Sequence, residues 1–396
     1  MIQRIFILAA LSLLPARADT IAVLPFWNAD SSAAASNLDW IGESVSEMLR
    51  ETLSERGILG FERDEIEDSL HRLRLRDRVP LSQASVMKIG DDLDAELVLF
   101  GSFTAAAGAP GSGTAGSLKL TARILDRRHL HFSPEFLETG ALEDLTTIEA
   151  HLAWHVLSVL SPKSAPPESD FKILRPSVRL DAEESYVRGL LARDPAQKEK
   201  FFLQANRLDP RLAHAAYELG QIHFARKDYR QAADWLAKVP VEDPHYRAAR
   251  FLLGLAQFDS GDFQSAQQSF QTIAETVPIP AVLNNLGAAE SRMNRASAID
   301  DFRKAVADDE RDPVYQFNLG YALWKKGDFT EAAAHFRAVL DHSADDSMAT
   351  LLLGRSLKKQ SFHAAVDARL ASLERLKTDY PERAYWQLKS MLDSKR

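Results

Sequence analysis

Apolar and polar positions follow two different rhythms along this 396-residue chain. Up to about residue 162, short apolar runs alternate with stretches of helical period. Thr20 to Pro25 is an apolar run closed by proline and suits a buried strand. Asn37 caps a predicted helix to Arg56, with Trp40, Ile41, Val45, Met48, Leu49 and Leu53 on one face and Gly57 at its end. Ile58–Glu62, Glu96–Phe103 and Leu118–Leu125 read as strands, and Phe132–Gly140 as a further one. Helices are predicted over Glu65–Leu75, Ser82–Leu93 and Leu142–Leu160. A Pro/Ser-rich stretch around Ser161–Pro167 then breaks the pattern, and from about Leu180 the chain is helical throughout.

Inside that helical half a second, longer period appears. Leu-Gly pairs recur at 219–220, 253–254, 286–287, 319–320 and 353–354, with steps of 34, 33, 33 and 34 residues. Ala232, Ala266, Ala298, Ala332 and Ala365 follow the glycines by 11 or 12 residues, where two helices cross too closely for a larger side chain. Leu236, Phe270, Phe302, Phe336 and Leu370 come four or five residues later, and Pro244, Pro278, Pro313 and Pro381 break the chain between units. This pattern resembles the tetratricopeptide repeat, a helical hairpin that stacks into a solenoid. It predicts five units over 213–380, a degenerate one over 180–212 and a capping helix over 381–396.

The first part resembles the N-terminal domain of TolB and its relatives in curli-secretion and flagellar-assembly proteins. The carriers are IAVLPFWNAD (21–30), WIGESVSEML (40–49), IGDDLDAELVLFGSF (89–103) and LKLTARILD (118–126). The resemblance implies a non-enzymatic, envelope-associated module, but repeats stand where TolB has its propeller. The expected fold class is therefore an α+β domain over 19–162, with a mixed sheet and flanking helices. A linker over 163–179 then leads into an all-α solenoid.

Composition narrows the setting. Arg4, the apolar stretch Ile5–Leu14 and Ala16-Arg17-Ala18 form a secretory signal over residues 1–18, too short to span a bilayer. The mature chain is expected to lack a transmembrane segment and to be periplasmic, with secreted or cell-surface destinations left open. The chain has no cysteine, which removes disulfides, thiolate metal sites and the anchoring residue of bacterial lipoproteins. A net charge of −8 argues against a general nucleic-acid binder.

Candidate chemistry is thin. GAPGSGTAG (108–116) has phosphate-loop glycines but Ser117 and Leu118 where Lys and Ser/Thr belong, so a mobile hairpin loop is expected. His151 and His155 are an i, i+4 pair near Glu149, without the Glu of a zinc-peptidase motif. His129 and His131 fall in a tight turn. Arg72, Arg74, Arg76 and Arg78 suit a solvated helix end, and Asp308–Asp312 lacks the glycine of a calcium loop. No catalytic residue, cofactor or metal is assigned, and no enzymatic activity is expected.

The sharper expectation is a groove. Positions that face the concave side in tetratricopeptide repeats fall here on Tyr217, Gln221, Phe224, Phe251, Phe258, Asn285, Phe317, Asn318, Tyr321, Trp324 and Arg355. Exposed aromatics would anchor an extended peptide while Asn285 and Asn318 bond its backbone. The alternative is that these aromatics pack on adjacent hairpins or on the α/β domain. The set does not reproduce the family's carboxylate clamp. The expected function is that of an envelope adaptor or assembly factor whose partner is an envelope protein or extended peptide segment. The runner-up is a periplasmic sensor holding a small molecule or glycan in the α/β domain.

Overall fold

The computed structural model describes residues 20–30, 35–54, 56–76, 79–106, 116–162, 165–168, 178–363 and 366–393. The proposed signal segment, Arg78, Ala365 and all of the glycine-rich loop but Gly116 lie outside these. The chain divides into two compact units, residues 1–177 and 178–396.

In the first unit seven strands are described: β1 (Thr20–Val23), β2 (Trp27–Asn28), β3 (Leu59–Gly60), β4 (Leu97–Ala106), β5 (Ser117–Asp126), β6 (His131–Phe132) and β7 (Phe136–Ala141). Their order is β3-β1-β4-β5-β6, with β2 beside β4 and β7 beside β5. β3, β1 and β4 run parallel, whereas β4 and β5 form a ten-residue antiparallel ladder from Leu97–Asp126 to Ala106–Ser117. The four helices described here are α1 (Trp40–Ser54), α2 (Arg63–Arg72), α3 (Gln83–Leu93) and α4 (Leu145–Leu160). Successive strand residues point to opposite faces. Ala22, Leu24, Val98 and Leu125 accordingly pack with Ile66 and Leu70 of α2 and Val86 and Ile89 of α3. α1 packs against α4, with Ile41, Val45, Leu49, Leu53, Leu145 and Leu152 buried. This mixed α/β architecture agrees with the sequence reading. Gly42 in α1 is dictated by close approach, since a Cβ there would stand 2.0 Å from the Phe26 carbonyl oxygen.

The second unit is helical. Five hairpins follow one another: α5 (Leu180–Leu191) with α6 (Pro195–Leu208), α7 (Ala213–Ala225) with α8 (Tyr229–Leu236), α9 (Tyr246–Asp259) with α10 (Phe263–Ala274), α11 (Pro280–Arg292) with α12 (Ala298–Asp308), and α13 (Pro313–Lys326) with α14 (Phe329–His342). α15 (Ser347–Leu357) and α16 (Glu382–Asp393) complete the helices described. Aspartates start several of them: Asp194, Asp262, Asp312 and Asp346 each accept a backbone N–H of the first turn.

The Leu-Gly signature has a direct cause. A Cβ at Gly189, Gly220, Gly254 or Gly287 would lie 2.5–2.9 Å from Phe202, Leu236, Phe270 or Phe302 respectively, and one at Gly320 would lie 3.2 Å from Phe336. Each glycine thus seats the large side chain of its own hairpin's second helix. Turns after α7, α9, α11 and α13 pass through left-handed residues at Lys227, Gly261, Asn294 and Gly327.

The fifth predicted unit departs from this scheme. Its turn forms as in the others, with Lys359 at φ +52° and the Gln360 N–H bonded to the Arg355 carbonyl. No second α-helix follows among the described residues. Apart from a 3₁₀ turn at Ala368–Leu370, the described residues among 359–380 form neither helix nor strand, and none of the described residues lies within 4 Å of a Cβ at Gly354. The physical reason lies in the groove.

Candidate peptide-binding groove

First helices of the hairpins build one face, and the described residues among 359–381 lie along it as a strap, meeting α13, α11 and α9 in turn. Recognition is through the main chain. Asn318 Nδ2 donates to the Arg375 carbonyl at 2.6 Å while its Oδ1 accepts the Arg375 N–H at 2.8 Å. Asn285 repeats the pairing on Lys377, donating at 2.8 Å and accepting at 2.9 Å. Asn284 donates to the Arg375 carbonyl at 3.0 Å and accepts from Asn318 Nδ2 at 2.8 Å. All three asparagines are fully buried. Buried amides need partners. An extended strap offers free N–H and C=O groups at residues i and i+2, whereas a helix would have spent them internally. That is the reason the strap replaces the predicted helix.

Aromatics complete the contact. Tyr321 Oη donates to the Leu370 carbonyl at 2.5 Å, and Trp324 Nε1 to that of Gln360 at 2.9 Å, with Phe362 edge-on to the indole at 5.7 Å. Burial pushes the Tyr321 phenol well above its usual pKa. The Arg375 guanidinium lies 3.4 Å from the Phe317 ring centre, and Tyr380 lies 5.6 Å from Phe251, ring to ring. Charges run along the strap as well. Arg375 pairs with Asp346 at 2.6 Å, Lys377 with Asp312, and Glu382 with Arg247 at 2.7 Å. Arg355 pairs with Asp367 at 2.7 Å. The guanidinium of Arg375 holds the Asp346 carboxyl below its ordinary value by hydrogen bonding.

Glu374 points the other way, into the wall. Its carboxylate is 0% exposed; Ser291 Oγ donates to Oε1 at 2.7 Å, while Lys325 and Arg292 stand 3.9 and 4.0 Å away. Its Oε2 is buried and accepts no hydrogen bond.

The structure therefore brings Phe251, Asn285, Phe317, Asn318, Tyr321, Trp324 and Arg355 together under one strap. The expectation that the aromatics stand exposed is corrected. Phe251, Phe317, Tyr321 and Trp324 are buried, and they are covered by this chain's own C-terminal segment. Phe258 is core, edge-on to Phe263 at 5.2 Å. Tyr217 stacks on His245 at 4.8 Å, Phe224 meets Tyr229 at 5.5 Å, and Gln221 is half-buried. Sequence reasoning missed Ser291, Lys325, Asp312 and Asp346. It also read the chain as helical throughout from about Leu180, and so expected a complete fifth hairpin up to residue 380.

Elsewhere the candidate clusters settle into ordinary contacts. His155 and His151 face Glu138 of β7 at 3.1 and 3.9 Å. His129 pairs with Asp126 at 2.7 Å, and Arg72 with Asp92 at 2.6 Å. Asp312 caps α13 through Val314 and Tyr315. A cleft of about 190 Å³ opens on the sheet among Trp27, Phe100, Ser102, Thr121, Arg123 and Glu135. That is smaller than the roughly 300–1,000 Å³ usual for small-molecule sites. No helix among the described residues is long and apolar enough to cross a membrane.

A tetratricopeptide repeat family model matches residues 288–349 and, overlapping, 317–384. The helical unit thus carries tetratricopeptide repeats, a fold of protein–protein interaction scaffolds. No curated protein matches the chain in sequence. Solved structures with partial likeness include YrrB, described as a TPR protein with an unusual peptide-binding site (17% identity, 45% of this chain and 92% of that one, TM-score 0.41). Others are Pseudomonas aeruginosa PilF (18%, 55% and 98%, 0.38) and MamA from Desulfovibrio magneticus RS-1 (21%, 42% and 96%, 0.37).

Proposed function

We propose that this protein is an exported, non-catalytic adaptor or assembly factor of the bacterial cell envelope that holds a partner polypeptide in the solenoid's concave groove. The observation that carries this reading is the paired bonding of Asn285 and Asn318 to the main chain of an extended segment. Side chains that satisfy both the N–H and the C=O of one residue recognise backbone, which every extended polypeptide supplies. Export rests on the signal-like residues 1–18, and docking of the α/β domain on an envelope complex rests on the resemblance to TolB.

The test is affinity capture from envelope extract with the natural chain and a strap-weakened Glu374→Lys form, each with and without Asn285→Ala/Asn318→Ala. A discrete protein enriched by either bait and reduced at least tenfold by the asparagine substitutions is the expected result. If neither bait retains anything that depends on the asparagines, the adaptor reading fails.

A further inference from the structure

The groove is full, and the way it is filled describes what else would fit. Three features set the strap apart from an ordinary core element. Its central residues bond to the solenoid through their main chain, as a bound peptide does and a packed helix does not. Its buried carboxylate is poorly matched: Glu374 receives a single hydrogen bond, with both cations about 4 Å away and Oε2 unbonded. And the seat of its repeat is unfilled by any described residue, since none lies within 4 Å of a Cβ at Gly354 while the corresponding glycines seat a large side chain of a second helix.

We propose that residues 371–381 are a tethered stand-in for the partner, and that the groove's ligand in trans is an extended peptide carrying an acidic residue followed directly by a basic one. This rests on the reading of the groove as a polypeptide site and deepens it. The wall defines the order. The Ser291, Arg292 and Lys325 pocket takes a carboxylate, Asp346 and the Phe317 face take the next side chain as a cation, and Asp312 takes a second cation two residues further on. A ligand that seats its carboxylate closer to Arg292 and Lys325 than Glu374 does forms charge-assisted hydrogen bonds the strap lacks. Only such a gain overcomes the advantage of tethering, which presents the strap at an effective concentration on the order of millimolar. The released segment has a seat open to it, because Leu370 stands at the repeat position that would fill the space at Gly354.

The experiment uses the full chain and a fluorescent peptide of residues 366–381, read by anisotropy. The natural chain should bind the peptide weakly. Glu374→Lys sets a third cation against Arg292 and Lys325, releasing the strap without touching the groove, and should bind at least tenfold more tightly. Adding Asn318→Ala should abolish that binding, and a peptide with Glu374→Gln should lose about tenfold. A Glu374→Lys chain that melts like the natural one yet binds no better overturns the proposal. Should that variant not fold, hydrogen exchange on the natural chain decides. Arg375 and Lys377 amides that open faster than the cores of α11 and α13 support a displaceable strap, and amides that exchange only on global unfolding overturn it. Peptide binding with no asparagine-dependent capture from extract would sink the adaptor reading alone; capture without peptide binding would sink this one alone.

Discussion

Gly320 and Gly354 occupy the same place in successive repeats, yet their surroundings differ. Over Gly320 lies Phe336, carried by the second helix of that hairpin; over Gly354 lies none of the described residues. Both follow a Leu at the same register, both sit in well-formed first helices, and both lead into a turn with a left-handed residue, Gly327 in one case and Lys359 in the other. The signature therefore specifies a first helix and a turn. Whether a second helix follows depends on what else competes for the segment. After Gly327 the chain forms a helix that packs on its own hairpin and on α15 of the next unit. After Lys359 it has a groove whose asparagines bond both the N–H and the C=O of Arg375 and of Lys377, groups that a helix would have used internally.

The largest expected effect tests the filled side of this comparison. Phe336→Ala removes the side chain above Gly320 and should destabilise the solenoid by about 3–5 kcal/mol in urea unfolding. Leu370→Ala, at the equivalent position of the strap, should cost less than about 2 kcal/mol, because the loss is limited to whatever holds the strap down. Equal losses would mean that the strap is as integral to the fold as a hairpin.

Next in size is the polar seam. Asn318→Ala leaves the Arg375 N–H and the Asn284 Oδ1 without these partners, while the Arg375 carbonyl keeps Asn284 Nδ2, at about 1–3 kcal/mol for each group that stays buried. The expected outcome is that the strap detaches and its amides lose exchange protection while those of α11 keep theirs. Uniform loss across the solenoid would contradict a separable strap.

A smaller contrast concerns the glycines themselves. Gly254→Ala places a Cβ 2.7 Å from Phe270 and should lower the melting temperature, with overpacking at about 1–3 kcal/mol exceeding the helix-propensity gain of about 1 kcal/mol. Gly354→Ala meets nothing and should raise it. A shared sign would break the comparison.

The smallest effect is with pH. The Asp346 carboxyl is held below its ordinary 3.8 by the Arg375 guanidinium. Its contribution to strap binding is thus complete above that value and is lost as pH falls through the lowered one. Peptide competition should stay flat from pH 7 to about 4 and loosen only below, with Asp346→Asn removing the step. Loosening between pH 5 and 6 would point to another group.

Much of this was legible in the residues. β1, β4 and β5 announced themselves by apolar runs and alternation. The hairpins did so by the Leu-Gly period, whose cause is the contact of each glycine with Phe202, Leu236, Phe270, Phe302 or Phe336. Asn285 and Asn318 were readable as backbone-binding residues from their positions on first helices, although Asn284 joins them and the backbone they hold belongs to the same chain. Ser291, Lys325, Asp312 and Asp346 carried no such mark, since a serine, a lysine and two helix-starting aspartates are unremarkable until a ligand charge faces them.

What the sequence determined by itself was local and periodic: strands, first helices, turns, and the close crossings that only glycine and alanine permit. The course of residues 359–381 was decided by the tertiary structure alone. Leu373 to Lys377 carries its apolar residues three apart, a helical spacing, so the local pattern alone predicts the wrong state. The groove takes the segment instead, through the paired main-chain bonds that Asn285 and Asn318 make to Lys377 and Arg375 and that no local pattern announces.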